Sequence, residues 1–278
     1  MTKLPSSHLN IKLMAFDLDD TLLNHELDIT PKTREAIFRA AEKGIYIVLC
    51  SGRSENAILP YVRKLEIAGM ESGRYLIALN GSTIFDLHQR LNLFTANVPG
   101  SILQECYTAC CKEGLSCQVY SPDSIFASND NEWTRVDAKL TSLNMVIPEH
   151  FYDFLGKGHS KMVIPGDPEK IARFQPELKA RLGDRAVVFT SKPFFLEVMP
   201  ANCGKGEAIE FLANKLGIPM EQTMGFGDSM NDESMIIRTV HSVAMCNGID
   251  HIKNTAKYVT RFSNEEDGIA DFLNEFVL

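Results

Sequence analysis

The sequence predicts an α/β fold, a parallel-sheet core interrupted by an inserted α+β segment. Three observations predict it. Short apolar runs alternate with helical stretches over the first third of the 278 residues. Polar or acidic residues stand directly after those runs. The alternation then breaks down over about residues 88–190 and afterwards resumes.

The first apolar run, Ile11 to Phe16, has the length of a buried strand and leads straight into Asp17-Leu18-Asp19-Asp20-Thr21. Thr30-Pro31 reads as an N-cap followed by Pro at the first helical position, opening a helix to about Lys43 that Gly44 ends. A β-branched run, Ile45 to Cys50, precedes Ser51-Gly52-Arg53 and a second helix from about Ser54 to Glu66. Tyr75 to Leu79 is the next strand, closed by Asn80-Gly81. Crossovers of this length join parallel strands, and ligands of such sheets bind beyond the strands' carboxyl ends. Asp17, Ser51, Asn80 and Asp228 all fall at such ends.

Between Leu87 and Ser191 the rhythm changes. Strand-like pieces at Ser116 to Tyr120, Ser124 to Ala127 and Lys161 to Ile164 mix with helices near Ser101 to Glu113 and Pro168 to Leu182. The parallel pattern is expected to resume with Phe194 to Met199, a helix from Gly206 to Leu216, the strand before Asp228 and a last strand at Ser242 to Met245. A helix from about Glu265 to Phe276 follows. The expected organisation is core 1–87, insert 88–190, core 191–278.

Composition narrows the function. A 45% hydrophobic content supplies a real core, and a net charge of −8 without a Lys/Arg-rich stretch argues against a nucleic-acid surface. Met1 to Asn10 is polar with no apolar h-region, and no run approaches a membrane span. A cytoplasmic protein is the expectation. Seven cysteines, an odd number, fit a reducing compartment. Cys106, Cys110, Cys111 and Cys117 lack a paired zinc-knuckle spacing and read as structural thiols.

Two acidic clusters carry the chemistry. Asp17 and Asp19 leave one strand at i and i+2 with Asp20 beside them, and Gly227-Asp228-Ser229-Met230-Asn231-Asp232 follows a second apolar run. Such density of negative charge calls for a cation or a proton. All-oxygen ligands point to a hard cation, most simply Mg²⁺, in the usual setting for phosphoryl transfer. Solvated acidic turns are the plainer alternative, weakened because two such clusters occur together. Taken alone, Ser51 reads as an ordinary N-cap, Lys205 as a solvated lysine, Asn231 as a helix cap and Asn80 as a turn residue. Trp133 lines the insert's substrate face or simply packs within it, and His25, Glu26 and Asp28 read as solvated loop.

Asp-x-Asp-x-Thr after the first strand, Ser-Gly-Arg after the second, a lysine flanked by Gly204 and Gly206, and Gly-Asp-x-x-Asn-Asp after a late strand resemble the haloacid dehalogenase superfamily. The long insert, with Leu-Asn-Gly at 79–81, is most similar to its Cof-type branch with a type IIB cap. The family often has Gly where this chain has Asp20. The resemblance implies a Rossmann-like parallel-sheet core with an inserted α+β cap closing over the site. It implies a Mg²⁺-dependent phosphomonoester hydrolase acting on a small phosphorylated metabolite, by default a sugar phosphate. Asp17 is the implied nucleophile and Asp19 the implied general acid and base. Asp17, Asp228 and the Asp19 main-chain carbonyl are the implied metal ligands, with Asp232 set behind them. Leu18, Ser51, Gly52, Asn80, Lys205 and Asn231 are the implied phosphate- and substrate-binding residues, Asn231 either holding Lys205 or touching phosphate. A phosphotransferase or mutase of the same fold and a non-catalytic phospho-ligand binder remain the alternatives.

Overall fold

The computed structural model describes residues 3–121, 123–141 and 143–278, so the first two residues of the polar amino-terminal segment lie outside it. The chain opens with β1 (Leu13–Phe16), α1 (Pro31–Glu42), β2 (Tyr46–Cys50), α2 (Glu55–Lys64), β3 (Tyr75–Ala78), β4 (Thr83–Asp86) and β5 (Leu91–Thr95). It continues through α3 (Gly100–Lys112), β6 (Gln118–Tyr120), β7 (Ser124–Ala127), α4 (Glu132–Thr141), β8 (Asn144–Val146), α5 (Phe151–Leu155), β9 (Met162–Pro165), α6 (Pro168–Leu182), β10 (Ala186–Lys192) and β11 (Phe195–Pro200). The last stretch holds α7 (Lys205–Leu216), β12 (Thr223–Gly227), α8 (Glu233–Arg238), β13 (His241–Ala244), α9 (Asp250–Thr255), β14 (Tyr258–Val259) and α10 (Gly268–Phe276). No described helix is long and apolar enough to cross a membrane.

Two compact units result, one of residues up to 93 together with 204–278, the other of residues 94–203. The first is built on an eight-stranded sheet of order β14-β13-β12-β1-β2-β3-β4-β5. Pairing is parallel from β14 to β3, and β4 returns antiparallel to β3. Period-two alternation sends Leu13 and Ala15 to one face and Met14 and Phe16 to the other. Met14 and Phe16 join α1, α2 and α10 in the larger cluster, while Leu13 and Ala15 pack with Ile209 and Leu212 of α7. Helices on both faces explain why the strands read as unbroken apolar runs.

The second unit is a six-stranded sheet of order β10-β11-β9-β6-β7-β8, antiparallel except for β7 beside β8. One face packs Val119, Ile164 and Leu196 against Phe174 and Leu178 of α6. The other carries Tyr120, Ile125, Val163 and Phe195. A buried polar group lies among these strands, with Lys161 Nζ 3.3 Å from Glu197 Oε2 and the Tyr120 hydroxyl donating to Asp137.

The run Phe194 to Met199 does not return to the parallel core. Only residues 193–194 separate β10 from β11, and a two-residue connection forces antiparallel pairing, so β11 belongs to the second sheet. The core therefore resumes at 204 rather than 191, and the second unit begins at 94 rather than 88. Beyond β13 the core has one more short strand, β14. The last helix starts at Gly268, because Ser263 and Glu266 close a capping box and Asp267 takes φ 62°.

Phe16 and Phe226 are register partners in β1 and β12, their rings stacked 4.9 Å apart, and Phe272 of α10 meets Phe226 edge-on at 5.7 Å. Both β-strand rings are wholly buried one or two residues before an acidic cluster. Phe226→Ala is expected to destabilise the protein by about 3–5 kcal/mol through cavity formation. Urea denaturation checks this; a loss below about 1 kcal/mol would contradict the packing described.

Candidate active site

The register of β1 and β12 places the two acidic clusters side by side. Asp17 follows β1, its N–H donating to Phe226 O at 3.0 Å, and Asp228 follows β12. Thr21 Oγ1 donates to Asp228 Oδ1 at 2.8 Å. Ser229 and Asp232 form a capping box, in which Asp232 Oδ2 accepts the N–H groups of Asp228 (2.9 Å) and Ser229 (3.1 Å). Gly227 makes the fold of this turn possible, since a Cβ there would stand 2.6 Å from Asp232 Cβ.

Lys205, the first residue of α7, has no exposure to solvent. Its Nζ donates to Asp232 Oδ1 at 2.6 Å and to Asp17 Oδ1. Asp17, Asp228 and Asp232 each offer a carboxylate oxygen within 4.8 Å of the others. Burial, and then the Asp232 charge, push Asp17 up to about 7 against the pull of Lys205. Burial likewise holds Asp228 well above the usual carboxylate range, with Asp232 and Asp17 adding to it. Burial alone would strip the Lys205 proton, but Asp17 and Asp232 outweigh it and keep the ammonium well above the ordinary lysine value.

This donor set fits a hard divalent cation. Three buried carboxylates face one ammonium, so negative charge remains in excess, and every donor is oxygen. Both Asp232 oxygens already accept hydrogen bonds, from Lys205 and from the turn amides. Asp17 and Asp228 are the carboxylates that could hold such an ion, and Asp232 fixes the lysine and the loop around them. The Asp19 side chain is not in this cluster. It lies half-exposed, paired bidentately with Arg53, whose Nε is 3.0 Å from Oδ2.

The other predicted residues fall around this centre with some changes of role. Ser51 does not cap α2. It stands three residues before the N-cap Ser54, with Oγ accepting the Arg53 N–H at 3.2 Å. Asn231 does not hold Lys205; the capping-box turn brings Asp232 to the lysine instead. Asn231 donates to Asn80 Oδ1 at 3.3 Å and accepts from Ser229 Oγ at 2.6 Å. Asn80 is buried, and its side chain occupies the space beside Gly52, where a Cβ would meet it at 3.1 Å. The Leu18 side chain is wholly in the core, and its carbonyl accepts the N–H groups of Leu22 and Leu23. That leaves the Leu18 amide as the group a ligand could meet.

Sequence reasoning passed over the roles of Thr21 and Arg53, and it set Asp232 behind the metal ligands without foreseeing its bond to Lys205. The Ser-x-x-Asp spacing at 229–232 was the available signal for the last; partners of the other two are set by tertiary contact. All seven cysteines are free thiols, and no described cysteine joins a metal-ligand cluster. Trp133 is half-buried with its ring 6.4 Å from Phe194 in the second unit. His25 and Asp28 are exposed and pair with Glu265 and Lys64.

Comparison with known proteins identifies the family. Residues 14–273 match the model of the haloacid dehalogenase-like hydrolase family. A 5-amino-6-(5-phospho-D-ribitylamino)uracil phosphatase of Bacillus subtilis is 31% identical over 96% of this chain and 98% of its own length. An HMP-PP phosphatase of Serratia proteamaculans is 26% identical over 96% of this chain and 95% of its own. A crystal structure of a haloacid dehalogenase-like hydrolase from Bacteroides thetaiotaomicron superposes with a TM-score of 0.83 at 29% identity, covering 95% of this chain and 98% of that one. With its acidic strand ends, its buried lysine and its match over nearly the whole length, the chain belongs to the haloacid dehalogenase-like hydrolase family.

Proposed function

We propose that this protein is a Mg²⁺-dependent phosphomonoester hydrolase that carries the phosphoryl group on Asp17. The observation that carries the reading is the buried Lys205 ammonium bridging Asp17 and Asp232 beside Asp228. A site that only bound phosphate would have no need of Asp19 as an acid and base beside Asp17, whereas a hydrolase needs both. The substrate is a small phosphorylated metabolite, by default a sugar phosphate, in keeping with the phosphorylated small molecules named for the relatives above. The insert, taken as residues 94–203, is the selective cap. The free thiols support a reducing, cytoplasmic setting.

Each side chain has a task in this reading. The Asp17 carboxylate attacks phosphorus, and Asp19, turned away from Arg53 and protonated from solvent, gives that proton to the leaving oxygen. Asp19 then takes a proton from the water that attacks the same phosphorus and frees Asp17. Its side chain stands apart from the three clustered carboxylates, which suits a proton carrier better than a ligand. Lys205 neutralises the phosphoryl group, and Ser51 and Gly52 meet its oxygens. Held by Asp17, Asp228 and the Asp19 main-chain carbonyl, Mg²⁺ would screen the approach of an anionic carboxylate to an anionic phosphoryl group.

Chelation with EDTA is expected to abolish release of phosphate from p-nitrophenyl phosphate, Mg²⁺ to restore it, and Ca²⁺ to inhibit through its larger, looser shell. Full activity after exhaustive chelation would remove the metal from the account. The two carboxylates of the first cluster separate in rapid-quench kinetics. Asp19→Asn should lose roughly 10²–10⁴ in turnover yet still give a near-stoichiometric burst of p-nitrophenol, because an activated leaving group needs little protonation. Asp17→Asn should give no burst. Phosphorylation of the Asp17→Asn protein, or wild-type steady-state turnover in Asp19→Asn, would overturn the assignment.

A further inference from the structure

The turn after β3 has a backbone that its residues would not choose. Leu79, Asn80 and Gly81 take φ of 50°, 54° and 95° in succession. Asparagine and glycine tolerate this region, but a bulky leucine is held there by its surroundings. Those surroundings are all phosphate-side elements. Leu79 N–H donates to Arg53 O and Asn80 N–H to Ser51 O, each at 2.9 Å, pinning the loop after β2. Asn80 Oδ1 accepts from Asn231 in the turn after β12 at 3.3 Å. On the opposite side Gly81 runs directly against the start of α7. A Cβ at 81 would stand 2.1 Å from Gly204 O and 3.0 Å from Lys205 N.

We propose that the Leu79–Gly81 turn is the positioning element of the phosphoryl site. It sets the distance between the Ser51–Arg53 loop and Lys205, and Gly81 is the residue on which the placement of Lys205 depends. The claim rests on the hydrolase reading above but assigns the turn no contact with substrate through Gly81. A backbone displaced at Gly204 displaces the Lys205 backbone, because Lys205 is the next residue, and so strains the bonds of its ammonium to Asp17 and Asp232. The strain at Leu79 is kept because a relaxed turn would surrender one of the turn's four contacts.

Gly81→Ala tests this against Gly44→Ala. Gly44 also has a positive φ, 78°, but nothing lies within 4 Å of a Cβ there, so it reports the backbone cost alone. Three readouts are compared with wild type: melting temperature, kcat and KM on p-nitrophenyl phosphate with Mg²⁺, and the Kd of orthovanadate as a phosphoryl mimic. Gly44→Ala should lower the melting temperature and leave kcat, KM and vanadate affinity at wild-type values. Gly81→Ala, measured where it is folded, should lose about 100-fold in kcat, the scale of an ångström-sized misplacement, and weaken vanadate binding as well. A folded Gly81→Ala with wild-type kcat and vanadate affinity would overturn the proposal. Should Gly81→Ala fail to fold, Asn80→Gly keeps the left-handed backbone and removes the amide. It should lose about 10-fold in kcat, the scale of one hydrogen bond to a placed group, and an unchanged kcat would equally overturn the proposal. Vanadate affinity is read without turnover. A wild-type chain inactive on phosphomonoesters would sink the hydrolase reading alone, and a wild type that does not bind vanadate would sink both.

Discussion

A lysine ammonium wholly removed from water, held between the carboxylates of Asp17 and Asp232, is the constraint around which the core is arranged. Taking such a charge out of water costs several kcal/mol unless oppositely charged partners with good geometry surround it. Both partners therefore have to arrive at fixed positions from distant parts of the chain. Asp17 comes from the end of β1, Asp232 from a capping-box turn after β12, and Lys205 from the first turn of α7. The parallel pairing of β1 with β12, locked by the Phe16–Phe226 stack, fixes two of them. The Leu79–Gly81 turn, pressed against Gly204, bears on the third.

The same constraint separates carboxylates that look alike in sequence. Asp232 is held on both oxygens by Lys205 and two backbone amides, so it shapes the site. Asp228 shares one oxygen with Thr21 and stays close to Asp17. Asp19, two residues from Asp17, leaves the cluster because β-strand geometry ends there and Arg53 draws its side chain away. In the proposed reading, four aspartates thus divide into nucleophile, cation holder, frame and proton carrier by their hydrogen bonds rather than by proximity.

Much of the core is legible in the sequence. Apolar runs buried on both faces announce parallel strands, and the polar residues after β1, β2, β3 and β12 mark the edge where the site lies. The terminal signals hold as well: Pro31 opens α1, and Gly44, with φ 78°, follows its end. Thr30, however, caps α1 by position without a side-chain hydrogen bond. What is not legible depends on long-range pairing. The run at 195–200 has the composition of a core strand, and only its two-residue connection to β10 reveals its sheet. Asn231 and Asp232 are neighbours of similar size, and the turn geometry alone decides which of them meets Lys205. The partner of Arg53, and the strain at Leu79, leave no trace in local sequence pattern.

The central claim is that Asp17 itself carries the phosphoryl group. Mass spectrometry of the wild-type protein, acid-quenched during turnover of p-nitrophenyl phosphate with Mg²⁺ and then digested, tests it most directly. The account predicts one added phosphoryl group on the peptide containing Asp17, removed by hydroxylamine as an acyl phosphate must be. A phosphoryl group on any other residue, or sustained turnover with no phosphorylated peptide at any quench time, would contradict it.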